Sequence, residues 1–480
     1  MLSVPAVETL SVVETESATA PSGLGAYLAV ALQAGTVEAL RLALDRTIAA
    51  IDALVGQQLD AILHHERVRR LEGSWRGIDW LVRGLEPGAA VKVKLLNLSW
   101  PELCRDLARA TEFDRSQIFQ KVYEQEFGMP GGEPYGLLVI DHEVRHRPSV
   151  GAHTDDVSAL TLLAGVAAAA FAPIVVSASP ALLQVDRFSD LVLTGDLAEP
   201  FRSDDFARWR SLSRQEDTRF VSVTLPRILA RAPWTDDPAR ADGFHYVEAA
   251  AGLDERVWMT AGYAFASAAA RAFTNHAWPA DVRGSETDRL GGGLVTGLTA
   301  EPYPTDPFWF RHSMDVALSD QQERMLIAAG LMPLSALPFG QEAVYAGVRT
   351  LHVPPRYTGP NEAAANANAR FSSQLNSMLC VSRFAHYIKL MGREAVGAFR
   401  SADEIEQRLH EWLQSYVNPN LSSSGDMRAR HPLAAARVTV REKPGQPSSF
   451  GCTVMLQPHF QLDDVSATFR LVTDIAAPRS

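Results

Sequence analysis

Residues 157–184 read VSALTLLAGVAAAAFAPIVVSASPALLQ and carry no charged side chain. The first half is Ala-rich and apolar on every side, as in a helix buried all round. Pro173 ends it, and the β-branched IVVSAS that follows reads as a buried strand. Asp155 and Asp156 stand immediately before the run and Pro173 interrupts it. The stretch is therefore read as core and not as a membrane span. Working outward, LLVIDHEV after the turn-like PGGEPYG is a second buried strand, FVSVTLPRIL (220–229) opens with period-two alternation, and 258–273 is an Ala-rich helix. Strands alternating with helices predict a mixed α/β core. Residues 282–301 are Gly-rich, and Pro302, Pro304 and Pro307 crowd the next loop.

On the N-terminal side the pattern changes. Residues 1–23 are small, polar and Pro-punctuated and predict a flexible tail; a short apolar stretch, 24–32, predicts a brief helix. From Thr36, a plausible N-cap, Val37, Leu40, Leu44, Ile48, Ile51, Val55, Leu59 and Ile62 recur every three or four residues. This predicts one long helix whose apolar stripe must be covered by the rest of the chain or by a partner. On the C-terminal side, 354–369 (PPRYTGPNEAAANANA) reads as a connector, and 372–392 and 402–416 as helices. Alternating stretches at 438–441 and 451–457 flank a Pro/Gly turn, and a third strand runs over 467–472. The segmentation is thus a tail with a short helix (1–35), a long helix (36–70), a central α/β domain (71–353), a connector (354–369) and a C-terminal helix-plus-strand domain (370–480).

The 480 residues include 45 Lys+Arg and 56 Asp+Glu, a formal charge of −11, and 46% are hydrophobic. Apolar content of that order supports a large core without disulfides. The acidic balance argues against non-specific nucleic-acid binding, which needs clustered cations to displace counterions. Cys104, Cys380 and Cys452 are far apart, so a zinc site is disfavoured and a reducing, cytoplasmic setting is expected. The N-terminus has no basic n-region or apolar h-region, and no membrane insertion is expected.

Catalytic signatures are missing. There is no P-loop, GxSxG elbow, HExxH or deaminase motif. Gly291–Gly293 lack a strand–GxGxxG–helix setting and suit a flexible loop or a close backbone approach. His64 and His65, adjacent on a helix, point too far apart to chelate one ion. In DHEVRH (141–146), His142 and His146 share a strand face with Glu143 opposite, and a solvated strand end is the expectation. The acid pairs Asp236/Asp237 and Asp463/Asp464 sit in loops without a nucleophile. The run 207–220 mixes Arg208, Arg210, Arg214 and Arg219 with Glu216 and Asp217, favouring ion-paired positioning over an anion site. No catalytic residue, cofactor or metal is assigned, and no enzymatic activity is expected.

Seven segments, in order, resemble the large subunit of the type VI secretion contractile sheath, the TssC/VipB/ImpC/EvpB family. They are ILHHERVRRLEGSWRGIDWLV, FGMPGGEPYGLLVIDHE, WRSLSRQEDTRFVSVTLPRIL, WMTAGYAFASAAARAF, RGSETDRLGGGLVTGL, CVSRFAHYIKLMGREAVGAF and PLAAARVTVREKPGQPSSFGCTVMLQPHFQL. Two departures mark a divergent branch: Trp278–Pro279 stands where the family commonly has Trp–Cys, and PGQPSS (444–449) replaces a Pro-Gly-x-Pro-Gly turn. The resemblance picks out Trp75, Arg76, Gly77, Gly131, Gly132, Pro134, Tyr135, Gly136, Trp209, Glu216, Asp217, Arg219, Pro226, Arg227, Arg283, Gly284, Arg383, His386, Tyr387, Lys389, Pro458 and His459 as structural motif residues. Trp75 and Trp80 frame a helix that anchors to a core while Arg76 reaches a carboxylate. Arg383, His386 and Lys389, at i, i+3 and i+6, form either a solvated face or a stripe for an acidic neighbour.

The resemblance implies an α/β sheath core with a long N-terminal helix and a C-terminal assembly domain. It also implies pairing with a small sheath subunit (TssB/VipA-like), stacking with further copies of the chain around an inner Hcp-like tube, attachment to a baseplate, and recycling by a ClpV-like AAA+ unfoldase that grips the region around 24–32. Leu40, Leu44, Ile48 and Ile51 are the expected stripe for the small subunit. Segments 437–442, 451–457 and 467–473, with Val438, Val440, Val454, Leu456, Phe469 and Leu471, are the expected shared sheet. The alternative is the sheath subunit of a related phage-tail-like particle released from the cell.

Overall fold

The computed structural model describes residues 36–129, 131–237, 239, 243–250, 252–285, 290–303, 305–337, 340–359, 362–397, 401–420, 423–442, 450–459 and 469–475. The expected helix at 24–32, the Pro/Gly turn at 443–449 and Asp463/Asp464 lie outside them. The chain divides into two units, one formed by residues 1–65 and 233–251 and the other by 66–232 and 252–480.

The first unit is built on helix α1 (Val37–Leu63). Thr36 is extended and its side chain accepts from Ala39 N at 3.2 Å, as its N-cap position predicts. The helix ends where the His64 backbone N–H bonds the carbonyls of Asp60 and Ile62. The single helix drawn to residue 70 is therefore two, with a break at His64–His65. Residues 246–249 lie along the C-terminal end of α1. Tyr246 Oη donates to Asp60 Oδ1 at 2.7 Å, the Ala249 amide to the same oxygen at 3.3 Å, and His64 Nε2 is 3.2 Å from Glu248 Oε1.

In the second unit, helix α2 (Glu66–Arg83) is followed by α3 (Trp100–Arg109), strand β1 (Leu138–Val144), α4 (Asp156–Ala170), β2 (Ile174–Ala178), β3 (Val221–Leu225), α5 (Ala261–His276) and β4 (Met332–Pro333). The four strands form one parallel sheet in the order β1-β2-β3-β4. The run 157–184 behaves as its composition demands. Asp155 caps α4 through Ser158 N at 3.2 Å, Phe171 closes it in the left-handed region at φ 49°, and every residue of β2 is buried. Strand alternation sends Ile174 and Val176 to the side of Leu163 and Ala167 of α4, and Val175 to that of Ala261 and Ala264 of α5. Each such aliphatic stabilises by about 1.5–3 kcal/mol, so the sheet holds the unit together from both faces.

Several expectations need correction. The Ala-rich helix starts at Ala261, not at residue 258; Thr260 caps it through Gly262 N, while Trp258 and Met259 form a short strand against Ile228–Leu229. The connector 354–369 is partly helical, because Glu362–Phe371 forms a helix. His142 and His146 are not at a solvated strand end. His142 stacks on Trp100 at 4.3 Å, and His146, 6% exposed, stacks on Phe206 at 4.0 Å. Residues 291–293 do form a close backbone approach: Gly292 has φ +62°, and a Cβ there would fall 2.4 Å from the Gly284 carbonyl oxygen.

The C-terminal part of this unit comprises α6 (Leu375–Gly397), α7 (Ala402–Gln414), β5 (Leu433–Glu442), β6 (Phe450–Pro458) and β7 (Phe469–Ile475). The strands form an antiparallel sheet with β6 in the middle, the expected hairpin plus one strand.

Candidate assembly surfaces

Among the described residues no group of His, Cys, Asp and Glu could hold a metal, and no helix is long and apolar enough to cross a membrane. The chemistry on offer is packing, ion pairing and exposed backbone or aliphatic surface.

The first such surface is α1. None of its residues is buried. Leu44, Ile48 and Ile51 are 46%, 52% and 47% exposed, Leu40 is half-buried, and Leu42, Leu54, Val55 and Ile62 extend the exposed apolar area. The second is the sheet β5–β6–β7. Val438, Val440, Val454 and Leu456 are buried in a core shared with Ile405, Leu409 and Leu413 of α7 and Phe384 of α6. Their side chains are spent inside the chain, and the outer edge of β5 is taken as well: the Val440 N–H donates to Glu406 at 2.7 Å, the Ala436 carbonyl accepts from Gln414, and Leu433 bonds Tyr416 and Asn418. Phe469 and Leu471 lie on β7, paired with Leu456 and Val454.

The family-motif residues mostly fasten the second unit. Arg76 Nε donates to Glu72 Oε1 at 2.7 Å, and Arg231 reaches the same carboxylate at 2.6 Å, which keeps its pKa low despite partial burial. Trp75, against expectation, is 58% exposed; Trp80 is the anchor, donating to the Gly297 carbonyl at 2.7 Å. Gly77 is required because a Cβ would sit 2.4 Å from the Tyr263 ring. At Gly132 an added Cβ would likewise fall 2.3 Å from the Glu126 carbonyl oxygen, Gly131 turns at φ +81°, and Gly136 faces open space. Beside them, past Pro134, Tyr135 Oη donates to Glu126 at 3.3 Å. Trp209 is buried, Arg219 pairs with Glu216 at 3.5 Å, and Asp217 is exposed. Pro226 follows a cis peptide bond. Arg227 then grips Glu143 with two bonds, 2.5 and 2.7 Å, and its backbone N–H donates to buried Asp315 at 3.1 Å. Arg283 Nε donates to the Ala346 carbonyl, and Gly284, at φ +67°, accepts from the Gly293 amide. Pro458 opposes Leu433, and the His459 amide donates to the Pro432 carbonyl.

The stripe Arg383–His386–Lys389 packs on aromatic rings and a backbone carbonyl of the same unit. Arg383 lies over the Tyr387 ring at 4.7 Å and Phe273 at 5.3 Å, and Lys389 over Phe127 at 4.4 Å. His386, 4% exposed, donates from Nε2 to the Ala170 carbonyl at 2.9 Å. Burial, followed by its two cationic neighbours, pushes its pKa down to about 4. The folded chain thus keeps His386 neutral between pH 6.5 and about 4, where the unfolded chain gains a proton. Stability from this group is present above pH 6.5 and is lost as pH falls toward 4, by about 2–3 kcal/mol at pH 4.5. Urea unfolding of His386→Gln, which retains a donor for Ala170, should show a pH slope smaller by that amount; an unchanged slope would contradict the assignment.

Residues 45–352 match the family described as EvpB/VC_A0108, tail sheath N-terminal domain, and 364–475 match EvpB/VC_A0108, tail sheath gpW/gp25-like domain. The chain is 35% identical over 443 residues to the type VI secretion system sheath protein TssC1 of Pseudomonas aeruginosa strain PAO1, covering 91% of this chain and 86% of that protein. Among solved structures, a chain of the anti-feeding prophage baseplate aligns with a TM-score of 0.35 at 11% identity, covering 85% of this chain and 84% of its own.

Proposed function

Because the chain belongs to the EvpB/VC_A0108 tail sheath family and is the large subunit of a type VI secretion contractile sheath, we propose that it works as a mechanical brick which stacks in two alternative ways and transforms no substrate. In this reading it polymerises with a small sheath subunit and with further copies of itself around an Hcp-like tube, starting from a baseplate in the cytoplasm. An open helical polymer requires heterologous contacts, one patch meeting a different patch on the next copy. Contraction then follows from a lower free energy of the contracted packing, with no nucleotide hydrolysed. Disassembly by a ClpV-like unfoldase belongs to the same proposal. A released, phage-tail-like particle is not favoured, since the relative over 91% of the chain is a type VI secretion sheath protein.

The observation that carries the partner assignment is α1, a 27-residue helix with no buried residue and an exposed aliphatic stripe. Exposed apolar area of this extent marks an interaction site. We assign it to the small subunit and the outer edge of β7 to a neighbouring copy through strand addition. Placing Asp at both Leu44 and Ile48 would bury two unpaired charges in that contact. When the double variant is co-expressed with the small subunit of the same system, co-purification should fall more than tenfold. Negative-stain images should change from hollow tubes to dispersed particles. Undiminished co-purification would remove α1 from the contact, and dispersed particles from the wild-type pair would overturn the sheath reading.

A further inference from the structure

Arg349 stands where three segments of the second unit meet. Its backbone bridges Gln374, the Thr350 and Leu351 amides donate to the carbonyls of Ser373 at 2.9 Å and Val221 at 2.7 Å, and the Val353 amide donates to that of Ser213 at 2.7 Å. Backbone bonds on two sides thus hold 349–353 between 213–221 and 370–374. The guanidinium of Arg349, in contrast, makes no hydrogen bond or ion pair with any described residue. The side chain is half-buried and its Nε fully so, while the terminal nitrogens reach the surface. Burying a cation without an acceptor is costly. Burial, followed by the like charge of Arg370, lowers the Arg349 pKa. Arg370, exposed in the last turn of the helix Glu362–Phe371, has no acid opposite it among the described residues either. On the other side, Arg219 has a buried Nε without an acceptor and only Glu216, itself 81% exposed, at 3.5 Å. The remaining neighbour, buried His352, is spent on the Gln215 carbonyl, 2.9 Å from Nδ1.

We propose that Arg349, flanked by Arg370, receives an Asp or Glu side chain from a neighbouring copy of this chain when the sheath assembles. This rests on the sheath reading above. A guanidinium fork matches a planar carboxylate through two parallel hydrogen bonds, so a cation held in place by its backbone needs only that one group to be satisfied. Two observations select a copy as the source. Helix α6 begins at Leu375, directly after Gln374, and lies against β7, whose outer edge is assigned to a neighbouring copy, so the site is continuous with that contact. The chain also carries 56 Asp+Glu against 45 Lys+Arg, so a copy brings carboxylates in excess. The unmatched cation raises the free energy of the separate chain, and pairing across the contact relieves it, which favours the polymer over the subunit and rejects a register that places a cation there.

The test compares Arg349→Gln, Arg349→Glu and Arg349→Lys, in the full chain alone and co-expressed with the small subunit. In the chain alone Arg349→Gln should raise the Tm by about 1 °C, because a partly buried charge without an acceptor is removed. With the small subunit, Arg349→Glu should co-purify as wild type does yet give more than tenfold fewer tubes, and Arg349→Lys, which keeps the charge, should keep about half of them. Carbodiimide treatment of the Arg349→Lys tubes should couple the new amine to an Asp or Glu in a peptide of this same chain, a link absent from the chain alone. A Tm several degrees lower in Arg349→Gln would show that the guanidinium serves its own fold and would overturn the proposal. Undiminished tubes from Arg349→Glu, equal loss in Arg349→Lys, no link, or links only to the small subunit or the tube protein would overturn it too, with the sheath reading left standing. A Tm rise in millimolar inorganic phosphate, present in wild type and absent from Arg349→Gln, would overturn it in favour of a free anion. Absence of tubes from the wild-type pair would overturn both readings.

Discussion

Replacing Arg227 with alanine should lower the unfolding free energy by about 3 kcal/mol, and by more at about pH 8 than at about pH 5. The guanidinium holds Glu143 through two bonds, and the backbone N–H of the same residue donates to Asp315. Removing it leaves two carboxylates, one of them only 7% exposed, without their cation. The pH dependence comes from Asp315. Burial pushes its pKa up to about 7, with Arg227 opposing the rise and Glu143 adding to it. A carboxyl raised above its unfolded value favours folding fully below about pH 4, and that contribution is lost as pH rises through 7. In the alanine variant the opposing cation is gone, so the loss at high pH deepens. Asp315→Asn keeps an acceptor for the Arg227 amide and removes the titration, so its stability relative to wild type should grow from pH 5 to pH 8. Denaturant unfolding of both variants at the two pH values checks this. An Arg227→Ala cost that does not change with pH would contradict it.

The second large effect is expected at Phe384. This side chain, fully buried, stacks on Trp278 at 4.1 Å and meets Trp412 and Tyr416 edge-on at 5.7 and 5.8 Å. Phe384→Ala opens a cavity among rings too rigid to collapse into it, a change that costs about 3–5 kcal/mol. The same core contains Val438, Val440, Val454 and Leu456, so the sheet loses the surface that orients it. Circular dichroism melts should show the loss in Tm. Co-expression with the small subunit should show fewer or shorter tubes even at temperatures where the variant remains folded. Normal tubes from a variant destabilised to this degree would mean that the C-terminal sheet needs no fixed seat to assemble.

Much of this architecture was readable in advance because it depends on neighbours close in sequence. The capped 3.6-residue periodicity of α1, the apolar run through α4 and β2, and the alternation in β5 and β6 are local patterns that backbone geometry converts directly into elements. The break after Leu63 was not, since one capped turn leaves no trace in the hydrophobic period. Arg349 was passed over, since a lone arginine in GVRTLHVPP carries no sign of whether an acid stands opposite it.

The misreadings share one cause. His142 and His146 looked solvated because the rings that stack on them, Trp100 and Phe206, belong to other elements. Arg383 and Lys389 looked like a charged face because the aromatic rings beneath them, Phe273 and Phe127, lie far earlier in the chain. Periodicity along the chain was enough for the elements and the mixed α/β class, and the family was legible from its resemblance to seven motif segments. Which side chains are buried, which charges are already matched and which edges stay open depended on packing between distant segments, because burial and pairing energies belong to contacts in space and not to spacing along the chain.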